Sequence, residues 1–222
     1  MKKLVIFDLD GTLLNTIDDL GHAANYALEK NGYPTHNISA YPFMVGNGIT
    51  KLLERVLPED DRNPQNVERL RKDFLEYYGE HMTDCTRPYP GIVELLDALR
   101  AHGINVAVAS NKYQAAVTKL IHHFFPMVEW AVIAGQTDNI PVKPDPSIVF
   151  EILGEVPTPK SEVLYVGDSG VDMETARRAC VESVGVTWGF RPLKELTDAY
   201  AEHIANNASD VLQLALATPE AE

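Results

Sequence analysis

Two aspartates separated by one residue close a short apolar run: Leu4, Val5, Ile6 and Phe7 lead into Asp8, Leu9, Asp10, Gly11 and Thr12. Carboxylates this close repel, and the pair is comfortable only with a cation between them or a proton shared. Such groups can attack an electrophile, move a proton or ligate a hard metal ion. Gly11 lets the backbone turn tightly enough for a ligand to reach its amides. The same residues would also make an ordinary polar turn after a strand. Position favours chemistry, because ligands of open parallel sheets sit at the carboxyl ends of the strands, and Asp8 marks such an exit.

Four further segments fall at points of the same kind. Ser110, Asn111 and Lys112 follow the apolar run 104–109. A hydroxyl with successive amides at a helix start would cradle a phosphate, although Ser110 would serve equally as a plain helix cap. Lys143 lies in the proline-flanked stretch Val142, Lys143, Pro144, Asp145, Pro146. A lone surface lysine is ordinarily idle, but an aspartate facing a phosphate dianion needs a cation to offset repulsion and stabilise the charge in transfer. Asp168 follows the run 163–166 as Asp8 follows 4–7. The two could share one hard cation, and magnesium suits such oxygen donors. Asp172 would be a further ligand, a partner that orients one, or a first-turn helix acid. Asp8, Asp10, Asp168 and Asp172 are thus the candidate metal-binding acids. Gly46, Asn47 and Gly48 precede a helix and mark a flexible loop that could receive an anion, a signal no stronger alone than an ordinary turn.

Hydrophobic spacing gives the elements that must position these groups. The run 4–7 is unbroken, the pattern of a strand buried on both faces. Ile17, Leu20, Ala24, Ala27 and Leu28 form one face of a helix within 15–32. Further helices are expected at 49–57 and from Asn63 and Pro64 through Tyr77, with no strand pattern among them. From Pro90 and Gly91 onward helix and strand alternate: helix 92–101, strand 104–109, helix 114–123, strand 128–134, a helix opened by Asp145 and Pro146, strand 163–166, helix 172–179, strand 183–187, then a helical C-terminal segment. Alternation of this kind implies βαβ units and a parallel sheet. The expected fold is α/β: a doubly wound, Rossmann-like sheet from residues 1–14 and 88–222, with an all-helical cap, 15–87, inserted beside the site. A cap hinged there can open for substrate and close against water.

The 222 residues, 45% hydrophobic and 23% charged, can bury a substantial core. Nineteen Lys and Arg against 32 Asp and Glu leave a formal charge of -13, which disfavours a nucleic-acid partner. That field also opposes an anionic substrate, so a bound cation and a few lysines must reverse it locally. No apolar run reaches the roughly 18 residues of a membrane span. The short N-terminal run, followed by acids, does not read as a signal peptide, so no membrane partner and a cytoplasmic location are expected. Cys85 and Cys180 lack any paired spacing, which argues against a disulfide or zinc site. The seven histidines show no metal-ligand spacing, and Phe43, Tyr77 and Tyr78 read as cap core.

The segment Asp8-Leu9-Asp10-Gly11-Thr12 resembles the first motif of phosphatases of the haloacid dehalogenase superfamily. Ser110-Asn111-Lys112 resembles the second motif, Lys143-Pro144 the third, and Gly167-Asp168 with Asp172 the fourth. Two departures are Asn15-Thr16, where the family usually has Asp-Ser, and Cys180, where glycine is frequent. The insert is similar in position to a type 1 cap, and the loop Gly46-Asn47-Gly48 with the segment 185–191 looks most like the phosphoglycolate phosphatase branch. The resemblance implies a magnesium-dependent hydrolase of a small phosphorylated metabolite, 2-phosphoglycolate first, working as a monomer or weak homodimer. In it Asp8 would be the nucleophile that forms an aspartyl phosphate, Asp10 the general acid and base, and Lys143 the charge-stabilising cation. Gly11, Thr12, Ser110, Asn111, Lys112, Gly46, Asn47 and Gly48 would contact the substrate. A pyrophosphatase or β-phosphoglucomutase would differ mainly in the cap loop. A dehalogenase typically lacks the second aspartate, and a phosphonate hydrolase would need a cap lysine, for which only Lys51 is near. A phosphoacceptor receiver domain, from a different class, also clusters acids, a hydroxyl and a lysine, but lacks a helical insert. Asp8→Asn is expected to lower turnover of a phosphate monoester in magnesium buffer by on the order of 10⁴-fold or more, measured as phosphate release; near wild-type release would identify a different nucleophile.

Overall fold

The computed structural model describes residues 1–217. Strand β1 (Leu4–Phe7) is wholly buried. Its alternate residues point to opposite faces: Val5 and Phe7 join one hydrophobic cluster, Leu4 and Ile6 the other. Each such side chain contributes on the order of 1.5–3 kcal/mol by leaving water, which fixes β1 at the centre of the sheet.

After β1 the chain makes a two-residue strand β2 (Leu14–Asn15) and enters helix α1 (Ile17–Lys30), followed by a 3₁₀ turn at Ile38–Phe43, α2 (Gly48–Val56) and α3 (Pro64–His81). Helix α3 starts where Asn63 accepts a hydrogen bond from the Asn66 amide and Pro64 fills the first position, a pairing that suits a helix start. Leu28, Leu53, Leu70 and Phe74 are among the buried side chains of this helical stretch. The chain returns through β3 (Arg87–Pro88), which pairs antiparallel with β2, Leu14 opposite Pro88 and Asn15 opposite Arg87. The buried Asp19 of α1 fastens the two passages together, accepting from the amides of Cys85 (2.9 Å) and Thr86 (2.8 Å) and from the Thr86 hydroxyl (2.7 Å).

The remainder alternates: α4 (Ile92–Ala101), β4 (Asn105–Tyr113), α5 (Gln114–Phe124), β5 (Val132–Gln136), α6 (Ser147–Glu155), β6 (Val163–Gly167), α7 (Gly170–Ala179), β7 (Glu182–Val186), α8 (Leu193–Asp198), β8 (His203–Ala205) and α9 (Ala208–Leu216). The sheet order is β5-β4-β1-β6-β7-β8, and every pairing is parallel. The chain winds outward from β1 in both directions, so the topological switch point, where ligands of doubly wound sheets bind, lies between β1 and its neighbours β4 and β6.

The structure corrects several expectations. The strand expected at 128–134 begins only at Val132, because pairing with β4 starts at Ala107 opposite Val132 while Met127 stays exposed. Strand β4 runs on to Tyr113, with a register irregularity between Ala109 and Tyr113. Ser110, Asn111 and Lys112 therefore sit in the strand's extension and not at a helix start. The C-terminal segment is not purely helical: β8 adds a sixth strand, three residues long and too short to show a period of two. The 3₁₀ turn at Ile38–Phe43 was likewise not legible. Phe43 is 63% exposed and not cap core, whereas Tyr78 is buried. Among the described residues no helix is long and apolar enough to cross a membrane.

Cys180 ends α7 in the left-handed region, at φ 57° and ψ 45°. An L-residue with a Cβ is disfavoured there, and glycine is the usual occupant. Cys180→Gly is expected to stabilise the protein by about 1 kcal/mol, the steric relief exceeding the added unfolded-state entropy. Urea denaturation would show this as a higher midpoint with an unchanged slope.

Candidate active site

Three buried acids meet at the carboxyl ends of the central strands. Asp8 follows β1, Asp168 follows β6, and Asp172 lies in the first turn of α7; ligand atoms of all three fall within 4.8 Å of one another. Ser169 caps α7 by accepting from the Asp172 amide while the Asp172 carboxylate accepts from the Ser169 amide, a reciprocal capping box that fixes the helix start. Asp168 is held by close packing. A Cβ on Gly11 would stand 2.2 Å from Asp168 Oδ2, and one on Gly189 would stand 2.2 Å from the Asp168 Cβ, so only glycine lets these two loops close over the acid. The Phe190 amide donates to Asp168 Oδ2 at 2.6 Å.

Lys143 supplies the countercharge. Its ammonium donates to Asp8 Oδ1 (2.8 Å), Asp172 Oδ1 (2.7 Å) and the Ala109 carbonyl (2.9 Å), with the Tyr165 hydroxyl at 3.1 Å. Burial opposes the charged ammonium, but the carboxylates of Asp172 and Asp8 outweigh it and hold its pKa well above the usual lysine value. The acids are pushed the other way. Burial, aided by the charge of Asp172 and only partly offset by Lys143, raises Asp8 to about 7. Burial and the charges of Asp172 and Asp8 raise Asp168 well above the carboxylate range. One ammonium is too little positive charge for three buried carboxylates, which is the environment a hard divalent cation suits.

Asp10 stands apart from this cluster. Its carboxylate accepts from Lys112 Nζ at 2.9 and 3.0 Å and from the Thr16 hydroxyl at 2.7 Å. The distances group Asp172, but not Asp10, with Asp8 and Asp168 as possible metal ligands. Asp10 is turned to Lys112, and the Asp172 oxygens also accept hydrogen bonds, Oδ1 from Lys143 and Oδ2 from Ser169. Asp8 and Asp168 each keep an oxygen with no protein donor among the described residues.

The four acids and the two lysines line one cavity of about 60 Å³, room for a few waters or a small anion. Its floor is Asp8, Ser110, Lys143, Asp168 and Asp172; its cap side includes Leu20, Gly46, Ile49, Phe74 and Tyr78. Three successive carbonyls of the cap loop are tied down: Met44 by Arg55 (2.8 Å), Val45 by Arg191 (2.9 Å) and Gly46 by Asn111 (3.1 Å). Two of those three donors belong to the sheet side, so the cap is docked on the core.

Other expected contacts differ in detail. Gly46, Gly48, Ser110, Asn111 and Lys112 line the cavity, but Gly11 and Thr12 do not. The Thr12 hydroxyl is enclosed without a hydrogen-bond partner among the described residues, and the Thr12 carbonyl accepts from Trp188. The Asn111 side chain is used up in bridging Gly46 and Lys143, and Asn47 is held by Arg55 at 2.7 Å and does not face the cavity. Lys112 is occupied by Asp10 and lies over the Tyr78 ring at 4.9 Å. Lys51, the one cap lysine weighed as a Schiff-base former, is exposed and pairs with Glu54. Two contributors escaped sequence reasoning. Tyr78 lines the cavity with its buried ring beneath Lys112, and Tyr165 supports Lys143. Both sit in apolar patterns that signal only core. A second grouping, Asp19, His22 and Cys85, lies at the cap junction, where Asp19 is already engaged by the backbone.

The family description "Haloacid dehalogenase-like hydrolase" matches residues 5–186. A phosphoglycolate phosphatase of Thiobacillus denitrificans is 33% identical over 222 aligned positions, covering 93% of this chain and 94% of the relative. That of Aquifex aeolicus is 32% identical, covering 96% of each. Among solved structures, a candidate phosphoglycolate phosphatase from Lactobacillus delbrueckii subsp. bulgaricus superposes with a TM-score of 0.92 at 31% identity, covering 98% of this chain and 100% of that one.

The raised carboxyls give a pH dependence of known sign. With Asp8 at about 7 in the fold against an ordinary value of 3.8, the folded chain keeps a proton that the unfolded chain has lost between those values, so metal-free protein loses stability as pH rises through that window. Thermal melts in chelator across this range should show a falling midpoint, flatter in Asp8→Asn, and added magnesium should restore the midpoint at the upper end.

Proposed function

Because the chain belongs to the haloacid dehalogenase-like hydrolase family, we propose that it hydrolyses a small phosphate monoester, 2-phosphoglycolate before others, through a phosphorylated Asp8. The observation that carries this reading is the convergence of Asp8, Asp168 and Asp172, the first and last paired with Lys143, at one cavity beneath the helical cap. The names of the similar proteins supply the organic half of the substrate.

Asp8 and Asp168 are the acids that would hold magnesium, which when bound supplies positive charge to the phosphate oxygens and offsets the repulsion between the buried carboxylates. Asp8 attacks phosphorus in line, with Lys143 keeping its Oδ1 in place; the bond from phosphorus to the ester oxygen breaks, and Asp10 gives that oxygen a proton. Water then attacks the aspartyl phosphate as Asp10 takes its proton, releasing inorganic phosphate and freeing Asp8. Lys143 neutralises charge that would otherwise repel the dianion, and the Ser110 hydroxyl, which accepts from the Lys112 amide at 3.2 Å, keeps its own proton for a phosphate oxygen. Asp172 acts by orienting Lys143. The cap excludes water from the first step, since the only nucleophile wanted there is Asp8.

A panel of 2-phosphoglycolate, sugar phosphates and inorganic pyrophosphate in magnesium buffer tests the reading. The highest kcat/KM is expected with 2-phosphoglycolate. Asp172→Asn should lower kcat by on the order of 10- to 100-fold through a misplaced lysine while leaving the order of preference unchanged. Preference for pyrophosphate or for a hexose phosphate would replace the substrate assignment.

A further inference from the structure

Three cations line the cavity among the described residues: Lys112, Lys143 and Arg191. The first two are already matched, Lys112 by both oxygens of Asp10 and Lys143 by Asp8 and Asp172. Arg191 forms no ion pair with a buried carboxylate among the described residues, its charge reaching Asp168 only at longer range. Its Nη2 donates to the main-chain carbonyl of Val45 at 2.9 Å, and its nearest acid is Glu195 at 3.7 Å, a side chain 37% exposed that also accepts from the Gly170 amide. The Arg191 side chain itself is only 12% exposed, and its guanidinium lies over the ring of Phe43 at 5.7 Å.

The placement of this charge is informative. Arg191 leaves the core in the segment after β7 and touches the cap at Val45, with a Cβ on Gly46 set to fall 3.6 Å from its Nη2. It stands at the seam of cap and core, while the phosphate-handling groups stand at the strand ends. A phosphate held at Asp8 must direct its organic half toward the cap side of the cavity. A guanidinium is the group best shaped to meet a carboxylate there, offering two parallel donors in one plane.

We propose that Arg191 recognises a carboxylate on the organic half of the substrate, and so separates a phosphorylated hydroxy acid from an uncharged phosphate ester of the same size. This rests on the phosphoglycolate reading above. Because the same guanidinium holds the Val45 carbonyl, carboxylate binding also reinforces the docked position of the cap.

The test compares kcat/KM for 2-phosphoglycolate and for 2-hydroxyethyl phosphate, which replaces the carboxylate by a hydroxymethyl group, in wild type, Arg191→Met and Arg191→Lys. Any common loss from a loosened cap cancels in the ratio of the two. The ratio is expected to fall about 10- to 100-fold in the methionine variant, the range of a charge-assisted hydrogen bond, and less in the lysine variant, which keeps the charge without the fork. If the methionine variant does not fold, the lysine variant decides by the same ratio. An unchanged ratio, with wild type still preferring 2-phosphoglycolate, would leave Arg191 as a cap tether and overturn this inference alone. A wild type that does not prefer 2-phosphoglycolate over 2-hydroxyethyl phosphate would overturn the phosphoglycolate reading and this inference with it.

Discussion

The structure turns on one unbalanced ion cluster: a single buried ammonium, Lys143, set against the carboxylates of Asp8, Asp168 and Asp172. Removing ions from water costs several kcal/mol each unless partners replace the lost hydration. Here the replacement is incomplete, and the fold must supply the remainder by force of packing. It does so by anchoring each acid to an element that cannot move: Asp8 to the wholly buried β1, Asp168 to β6 and to the glycines that press on it, and Asp172 to the capping box of α7. The deficit of positive charge makes the cluster receptive to a divalent cation, so the cost of burying these acids and their capacity for chemistry are the same property.

A second constraint is the arrangement of the cap. Asp10, the proton carrier in the proposed mechanism, is bonded to Thr16, which lies just before α1, while Asp19 on the first turn of α1 binds the returning strand at Cys85 and Thr86. The groups that would handle the proton are therefore connected, bond by bond, to the passages into and out of the helical insert. On the far side, the cap loop meets the core through its own carbonyls, which accept from Asn111 and Arg191. Side chains of the sheet thus grip backbone of the cap, so the cap's surface can differ in side chain without losing its seat.

The formal charge of -13 gains meaning from this geometry. The cations that matter are buried and few, and two of the three at the cavity are committed to carboxylates before any substrate arrives. A phosphate ester therefore approaches an acidic protein whose attraction is confined to a small region, where low polarisability strengthens each charge. The phosphate has the strand ends, and any second acidic group has the guanidinium at the seam.

Much of this was legible in the sequence, for a physical reason in each case. The parallel sheet is written as apolar runs, since strands covered on both faces have no polar alternation, and the lack of strand pattern between Ile17 and His81 marks the helical stretch. Asp8 and Asp168 were legible because carboxylates at the exits of buried strands face a site and not the core, and Lys143 because such an acid facing a phosphate needs a cation. What the chain could not disclose alone was how side chains with several options would pair. That Lys112 takes Asp10, that Asn111 bridges the cap and the Lys143 loop, that Thr12 turns away from the cavity, and that Tyr78 turns toward it are decided by contacts between residues far apart in sequence. Local pattern fixes which face of an element is apolar, because that depends on its own period. Which polar group meets which depends on how the elements are stacked, and that information exists only once the core has closed around them.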